Sequence, residues 1–329
     1  MTVVVKIGGA KAVDPTGALT DVAHLSANGE EVVVVHGGST AVDDLLERLG
    51  ESPEYVETPD GVVGRFTDET AMEAFEMALP GRVNTDFVAD LQNAGVNAVG
   101  LSGADGRLLT GRRKSAVRVE ENGRTRIRRG DHSGTVEDVN ADLLETLLAG
   151  GYTPVVTVPV LADDGDGGSA EWLPVNADAD RAAAAVAGAL NAELVVLTDV
   201  AGVYEDPADE STLIDRVGTP AAFDALTDAA EGFMTRKVMA AERALSAGAT
   251  AVHVAGAGRN SPVLSARSGE GTTILPAAVG AAGEDSPVEA VESAPDETAS
   301  AGAGDTSSGE PATDGGDGEN GEKPEVSRS

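Results

Sequence analysis

Apolar residues in this chain come as short β-branched runs, with polar and alanine-rich stretches between them. The runs are Val3–Ile7, Glu31–Val35, Ala98–Leu101, Pro154–Val158, Leu194–Leu197 and Ala251–Val254. Between them, helical periodicity predicts helices over about 39–49, 69–79, 83–94, 136–149, 178–191, 219–229 and 234–247. Strand and helix patterns that alternate in this way predict an α/β fold: a mainly parallel sheet with helices on both faces. Residues 107–129 break the pattern. Arg alternates there with Val or Ile, which predicts an exposed β-hairpin turning at Asn122-Gly123. Asp163–Ser169 reads as a Gly/Asp loop. From about Ala281 the periodicity gives way to Gly, Ser, Glu, Asp, Pro and Thr, the composition of a disordered acidic tail. The expected organisation is one domain over 1–280 and a tail over 281–329.

Charge narrows the partners. The net charge is -33 and aromatics make up 3%. Duplex nucleic acid and anionic membrane are repelled by such a surface, and base-stacking platforms are scarce. Residues 281–329 hold 13 Asp/Glu against 2 Lys/Arg, a net of -11, which leaves -22 on residues 1–280. With its scarce lysine and abundant acid and alanine, the domain resembles proteins of salt-in halophiles. Molar salt shortens the Debye length to roughly 3 Å and screens the self-repulsion. There is no cysteine, so neither a disulfide nor a thiolate metal site is expected. No apolar stretch reaches the roughly 20 residues of a membrane span. The chain opens directly on a strand-like run, and a cytoplasmic protein is expected.

Lysine is rare, with five in 329 residues, and two of the five stand where phosphate chemistry needs a cation. Lys6 precedes Gly8-Gly9 at the end of the first run, and Lys237 heads an alanine-rich helical pattern. A second glycine turn, Gly37-Gly38-Ser39, follows His36. Glycines at such turns let backbone N–H groups approach an anion. The Walker A pattern is absent, and Gly256-Ala257-Gly258 reads as a turn. Asn176-Ala177-Asp178-Ala179-Asp180-Arg181 leads into a helix, with Asp178 a plausible N-cap. Thr198-Asp199-Val200 through Tyr204 is a strand end entering a turn, the place where doubly wound sheets bind ligands.

Taken in order, these pieces resemble the amino acid kinase family, and its acetylglutamate-kinase branch in particular. The matching residues are Lys6–Gly9, His36–Gly38, Gly64–Asp68, Ala98–Gly103, Asn176–Asp180, Thr198–Val200 with Gly202-Val203, Gly232–Lys237 and Gly271-Thr272. The resemblance implies an open αβα sandwich, a homodimer, and phosphorylation of a carboxylate by Mg-ATP, with Mg2+ held through the nucleotide phosphates and no metal site of the protein's own. It implies an acyl-acceptor lobe over about 1–170 and a nucleotide lobe over 171–280. Lys6 and Lys237 would flank the transferring phosphoryl, with Asp180 holding both. Gly37 and Gly38 would offer N–H groups to the reacting carboxylate, and Arg65 and Asn176 would clamp the substrate's α-carboxylate. Gly8, Gly9, Thr198, Asp199 and Tyr204 would line the nucleotide pocket.

The acceptor is read from the hairpin. Residues 107–129 carry nine Lys/Arg against two Glu, +7 on a domain whose total is -22. A free amino acid needs no such patch, whereas an acidic protein partner does. The segment from Arg113-Lys114 to Gly134 resembles an insertion of the kinases that act on an amino acid attached to LysW, a small acidic amino-group carrier protein. Those enzymes phosphorylate LysW-linked glutamate or α-aminoadipate in arginine or lysine biosynthesis. The implied docking residues are Arg112, Arg113, Lys114, Arg118, Arg126, Arg128 and Arg129. Ser39 stands where free-metabolite acetylglutamate kinases carry a third glycine. Three alternatives stay open: a free N-acetylglutamate kinase whose hairpin is a lid or oligomer contact, a non-catalytic sensor of amino acid or nucleotide, and an aspartokinase or uridylate kinase. Against aspartokinase, only tail is expected after residue 280 where that family has a regulatory domain, and the Arg65 and Asn176 clamp favours an amino-acid substrate over a nucleotide. Glutamate and aminoadipate differ by one methylene, which a pocket separates by about 1–3 kcal/mol.

Overall fold

The computed structural model describes residues 1–8, 14–59, 63–121, 124–163, 171–230 and 232–280. Its central sheet has eight strands. Their spatial order is Arg216–Val217, Thr272–Ile274, Ala251–Gly256, Glu193–Thr198, Thr2–Ile7, Glu31–His36, Thr153–Thr157 and Ala98–Ser102. All pairings are parallel except that of Ala251–Gly256 with Thr272–Ile274. Each of the six predicted runs is a strand of this sheet. Strands from 1–170 fill one half, strands from 171–280 fill the other, and the halves meet where Thr2–Ile7 pairs with Glu193–Thr198.

Side chains alternate across a strand, so each run feeds two layers. Val3, Val5 and Ile7 pack with Leu19, Val22 and Val263 on one side, under the helices Thr16–Ala27 and Pro262–Arg267. Val4 packs on the other side with Val42, Ala183 and Val238, under the helices Ser39–Leu49, Ala179–Ala189 and Phe233–Ser246. Lys6 shares the parity of Val4. Its side chain therefore leaves the sheet toward this second layer.

Four elements differ from their expected form. The expected helices over 69–79 and 83–94 are one unbroken helical run: Glu69–Glu76 is α, Met77–Val83 is π, and Asn84–Asn93 is α again. Pro80 lacks an N–H to give to an α-helical ladder, and the wider π segment carries it. The expected helix over 136–149 shrinks to Ala141–Ala149, because Asn140 caps it by accepting from the Leu143 N–H at 3.3 Å; Asp138–Val139 ahead of it is a strand. The basic hairpin is longer than 107–129, with arms Leu109–Glu121 and Arg124–Gly134. It is exposed only in part: Leu109, Val119 and Asp131 are buried. Its base joins Val160–Asp163 and Trp172–Val175 in a five-stranded sheet. Close approach fixes that join, since a Cβ at Gly134 would lie 2.5 Å from Val175 Cγ2, and within the base one at Gly111 would lie 1.8 Å from the Thr135 oxygen.

The helices Thr16–Ala27 and Pro262–Arg267 are absent from the sequence reading. Buried Asp21 ties them together, accepting from the N–H groups of Val263 at 2.8 Å and Leu264 at 3.2 Å. Gly9, the Asn122-Gly123 turn, most of the Asp163–Ser169 loop and the acidic tail lie outside the described residues.

Candidate active site

Lys6, Asp180 and Lys237 meet at the seam between the two halves of the sheet. Lys6 comes from a strand, Asp180 from the first turn of helix Ala179–Ala189, and Lys237 from the start of helix Phe233–Ser246. Lys6 Nζ lies 2.6 Å from Asp180 Oδ1, and Lys237 Nζ lies 3.0 Å from Asp180 Oδ2. One carboxylate thus holds two ammonium groups, one on each oxygen. Asp178 caps the helix by accepting from the N–H groups of Asp180 at 2.8 Å and Arg181 at 3.1 Å, which locks the first turn. The helix dipole also favours an anion at this end. Burial pushes the Asp180 pKa up, but Lys6 and Lys237 outweigh it, and the carboxyl stays below its ordinary value. Burial, with help from Lys237, draws Lys6 below the ordinary lysine range despite the attraction of Asp180. The result is a buried centre with two cations and one anion, suited to stabilising a negatively charged group placed against it.

The centre opens into a cleft of about 540 Å³ whose lining includes Gly37, Gly38, Arg65 and Asn176. Asn176 is stitched into the cleft wall. Its side chain donates to Thr67 Oγ1 at 3.0 Å, and its carbonyl accepts from the Gly134 N–H at 2.8 Å. Arg65 is held by partners that sequence reasoning missed. Its Nη1 pairs with Asp43 Oδ1 at 2.6 Å, and its Nη2 donates to the Tyr55 hydroxyl at 3.0 Å and the Ser39 carbonyl at 3.2 Å. Tyr55 in turn donates to Asp43 Oδ2 at 2.9 Å. Asp43 looked like any acid on the polar face of an amphipathic helix. The four-residue spacing from Ser39 was the only available signal.

Gly8, Thr198, Asp199 and Tyr204 do not line this cleft. Gly8 and Thr198 stand side by side at the strand ends, each one residue beyond the paired Ile7 and Leu197. Thr198 Oγ1 donates to Asp199 Oδ1 at 2.9 Å, and Tyr204 bridges Leu213. Among the described residues no group of three or more His, Asp or Glu side chains is placed to hold a metal ion.

The hairpin residues divide between faces and partners. Val117 pairs with Arg128 and Val119 with Arg126, so these four share the face that carries buried Val119. Arg118 opposite Ile127, and Arg129 opposite Ala116, share the other face, where Ile127 is 63% exposed. Arg128 is drawn inward: it pairs with Glu54 and stacks 3.9 Å from the centroid of Phe66. Arg112 pairs loosely with Glu137 at 3.4 Å, and Arg113 Nε donates to the Asp131 carbonyl at 3.2 Å. Lys114 lines the cleft together with Arg181, which also borders a smaller cleft of about 300 Å³ beside Arg243. Burial, then Arg181 and Arg243, hold Lys114 below the ordinary lysine value. Lys114, Arg181 and Arg243 make no ion pair among the described residues. Burial and then Arg243 hold Arg181 below its ordinary value against the attraction of Asp178, and a cation in the first turn of a helix also opposes the dipole.

The model of the amino acid kinase family matches residues 1–256. The chain belongs to the amino acid kinase family. Its relatives include the LysW-aminoadipate kinase of Deinococcus radiodurans, 41% identical over 274 residues, covering 83% of this chain and 91% of that one. The acetylglutamate kinase of Methanopyrus kandleri is 40% identical over 248 residues, covering 74% of this chain and 91% of the relative. Among solved structures, N-acetylglutamate synthase from Neisseria gonorrhoeae, complexed with coenzyme A and N-acetyl-glutamate, superposes with a TM-score of 0.64 at 26% identity. That likeness covers 83% of this chain and 59% of the other. This kinase therefore has the mixed α/β fold of its family, and membership implies ATP as phosphoryl donor. No helix among the described residues is long and apolar enough to cross a membrane.

Proposed function

We propose that this kinase transfers the γ-phosphoryl of ATP to the side-chain carboxylate of glutamate or α-aminoadipate borne by a small acidic carrier protein. A carboxylate oxygen forms the new bond to phosphorus, the bond to the β-phosphate oxygen breaks, and an acyl phosphate and ADP leave. Both reactants are anions, so the chemistry consists mainly of cation placement and positioning. Lys6 and Lys237 supply the positive charge, and Asp180 fixes the two ammonium groups relative to each other. Asn176 and Arg65 hold the amino-acid end, Arg65 sharing its guanidinium between Asp43 and the substrate. Magnesium would be held through the nucleotide phosphates and would offset their charge. Gly8, Thr198, Asp199 and Tyr204 form the nucleotide side, with Gly8 and Thr198 at the seam itself.

One observation carries the choice of acceptor: the cations Lys114, Arg181 and Arg243, which make no ion pair among the described residues, continue the basic hairpin to the rim of the lysine–aspartate centre. In a chain of 56 Asp/Glu against 23 Lys/Arg, such a track suits an acidic polypeptide. Similarity to relatives such as the LysW-aminoadipate kinase of Deinococcus radiodurans supports the same reading. The 40% identity to an acetylglutamate kinase favours free N-acetylglutamate as the second reading. An ATP-consumption assay in molar salt separates them, run with carrier-linked glutamate, carrier-linked aminoadipate and free N-acetylglutamate. Turnover of a carrier-linked acid far above the free one is expected. Efficient turnover of free N-acetylglutamate alone assigns the second reading.

A further inference from the structure

His36 is fully buried at the end of its strand, immediately before the Gly37-Gly38 turn, and both its ring nitrogens are engaged. Nδ1 lies 2.9 Å from the Gly37 carbonyl oxygen, and Nε2 lies 3.0 Å from Asn84 Nδ2. The same Asn84 nitrogen is 2.8 Å from the Val155 carbonyl oxygen. A carbonyl only accepts, so the atom facing it is the NH2 group, and that group also donates to Nε2. Nε2 is then the acceptor, and the ring proton sits on Nδ1, where it donates to Gly37. The ring is neutral: burial holds its pKa down to about 4, against a small opposing pull from the Gly37 carbonyl. The ring stacks on Phe87 at 4.8 Å, Thr157 Oγ1 donates to the His36 carbonyl, and its strand neighbour on the other side is Ile7. None of these carries charge.

The surroundings are built to hold this contact. A Cβ at Gly100 would fall 2.0 Å from Asn84 Oδ1, so only glycine leaves room for the carboxamide. A Cβ at Gly38 would fall 2.5 Å from Leu79 Cδ2, which presses on the turn from the π-helical segment. In a trans peptide the N–H points opposite to the C=O. The Gly37 carbonyl faces the imidazole, so the Gly38 N–H is turned away from it, toward the cleft that both glycines line with Lys6.

We propose that His36 is a positioning residue for phosphoryl transfer: its Nδ1–H fixes the Gly37–Gly38 peptide so that the Gly38 N–H meets the reacting group, and Asn84 fixes the tautomer that makes this possible. The role rests on the kinase reading above. An oriented backbone donor of this kind acts on the charge that develops in the transition state, so its loss falls on kcat and leaves the KM for ATP in place.

The test pairs two substitutions. The His36→Asn carboxamide reaches the Nδ1 position and keeps the donor to Gly37. The His36→Gln carboxamide reaches the Nε2 position and loses it. His36→Gln is expected to lower kcat by about 100-fold with ATP KM unchanged, and His36→Asn to recover at least about tenfold of that loss. Equal losses in the two variants overturn the proposal. Asn84→Asp gives a second, signed readout. A carboxylate there accepts from Nε2–H, so the neutral ring leaves a bare Nδ1 against the Gly37 carbonyl; only the imidazolium restores the contact. In that variant kcat should rise as pH falls through the raised His36 pKa, a step that the wild type, whose neutral ring already donates from Nδ1, does not show there. A pH profile parallel to the wild type's counts against the role. Should Asn84→Asp not fold, 15N chemical shifts of the His36 ring in the wild-type protein decide. Nδ1–H supports the inference and Nε2–H removes it. That measurement needs no substrate. Failure of every carboxylate acceptor in the wild-type assay therefore sinks the kinase reading without touching the tautomer result.

Discussion

Arg65 and Asp43 form an ion pair, Nη1 to Oδ1 at 2.6 Å, in the wall of the cleft. The Arg65 side chain is 5% exposed and the Asp43 side chain 24%, and Arg65 lines the cleft. A substrate α-carboxylate bound there shares Arg65 with Asp43. Arg65→Ala is expected to raise the acceptor KM by about 10- to 100-fold with little change in ATP KM, since the contact is made throughout the reaction. Asp43→Asn should raise it less, because Tyr55 and the Ser39 carbonyl still orient the guanidinium. A rise confined to ATP KM places Arg65 at the nucleotide.

Lys6→Ala and Lys237→Ala should each lower kcat by about 100-fold or more at saturating Mg-ATP. Asp180→Asn should do the same by releasing both ammonium groups. It should also destabilise the fold by about 3–5 kcal/mol, because two buried cations lose their counter-charge. Steady-state kinetics and denaturant titration check the two effects separately. Near-normal turnover in Asp180→Asn refutes its role as the common anchor.

The pH dependence has two signs. His36 is neutral in the fold and charges near pH 4, whereas the ordinary value is 6.5. Below 6.5 the unfolded chain takes up a proton that the folded chain refuses, so stability should fall as pH drops from 6.5 toward 4 by roughly 3 kcal/mol. His36→Asn should flatten that slope in thermal melts. At the alkaline end, the lowered pKa of Lys6 means its ammonium is lost below the ordinary 10.5, and kcat should decline there first. A kcat that is flat to pH 10.5 removes the Lys6 ammonium from the mechanism.

Docking is tested best on the outward face of the hairpin. Arg118→Glu with Arg129→Glu, and separately Arg181→Glu with Arg243→Glu, should each lower kcat/KM for a carrier-linked acid by about 10- to 100-fold, at roughly 1–3 kcal/mol for each charged contact. A free acceptor should be spared by the hairpin pair. Arg128 is a poor choice for this purpose, because Glu54 and Phe66 already occupy it. Equal losses on free and carrier-linked acceptors point to a role for the hairpin in the fold.

Asp21 offers a control far from the cleft. Asp21→Ala leaves the buried Val263 N–H and the Leu264 N–H without their acceptor, and should destabilise the protein by about 1–3 kcal/mol with kcat unchanged.

The sheet was legible because its strands are uninterrupted β-branched runs, and the two key lysines were legible because lysine is otherwise rare. Parity alone sends Lys6 to the layer of Asp180 and Lys237. Short-range chemistry was harder to see. The start of helix Thr16–Ala27 is marked by Asp14, which accepts from the Thr16 N–H at 2.9 Å, but the Asp-Pro-Thr signal is brief and the helix has no acid in its first turn. Asp43 and Asn84 act through partners 22 and 48 residues away, and no local pattern records such a distance. The division of the hairpin arginines between inner and outer faces needed the register, which the bulge between Lys114 and Ala116 shifts.

The π-helical segment Met77–Val83 has a consequence for chain length. Each α-helical residue turns the direction of the side chains by about 100°, and a π turn holds one residue more than an α turn. The segment therefore resets the angular phase of everything after it, and it is this offset that aims Asn84 at His36 while Leu79 still faces Gly38. Deleting a single residue such as Gly81 would let that turn close as an ordinary α turn with the residues on either side still in phase, so the obstacle to losing it is Pro80, which has no N–H for an α-helical ladder. A one-residue gap in this stretch of a related sequence should accordingly travel with replacement of Pro80 while His36, Asn84 and Gly100 stay, so the extra residue and the proline come and go together.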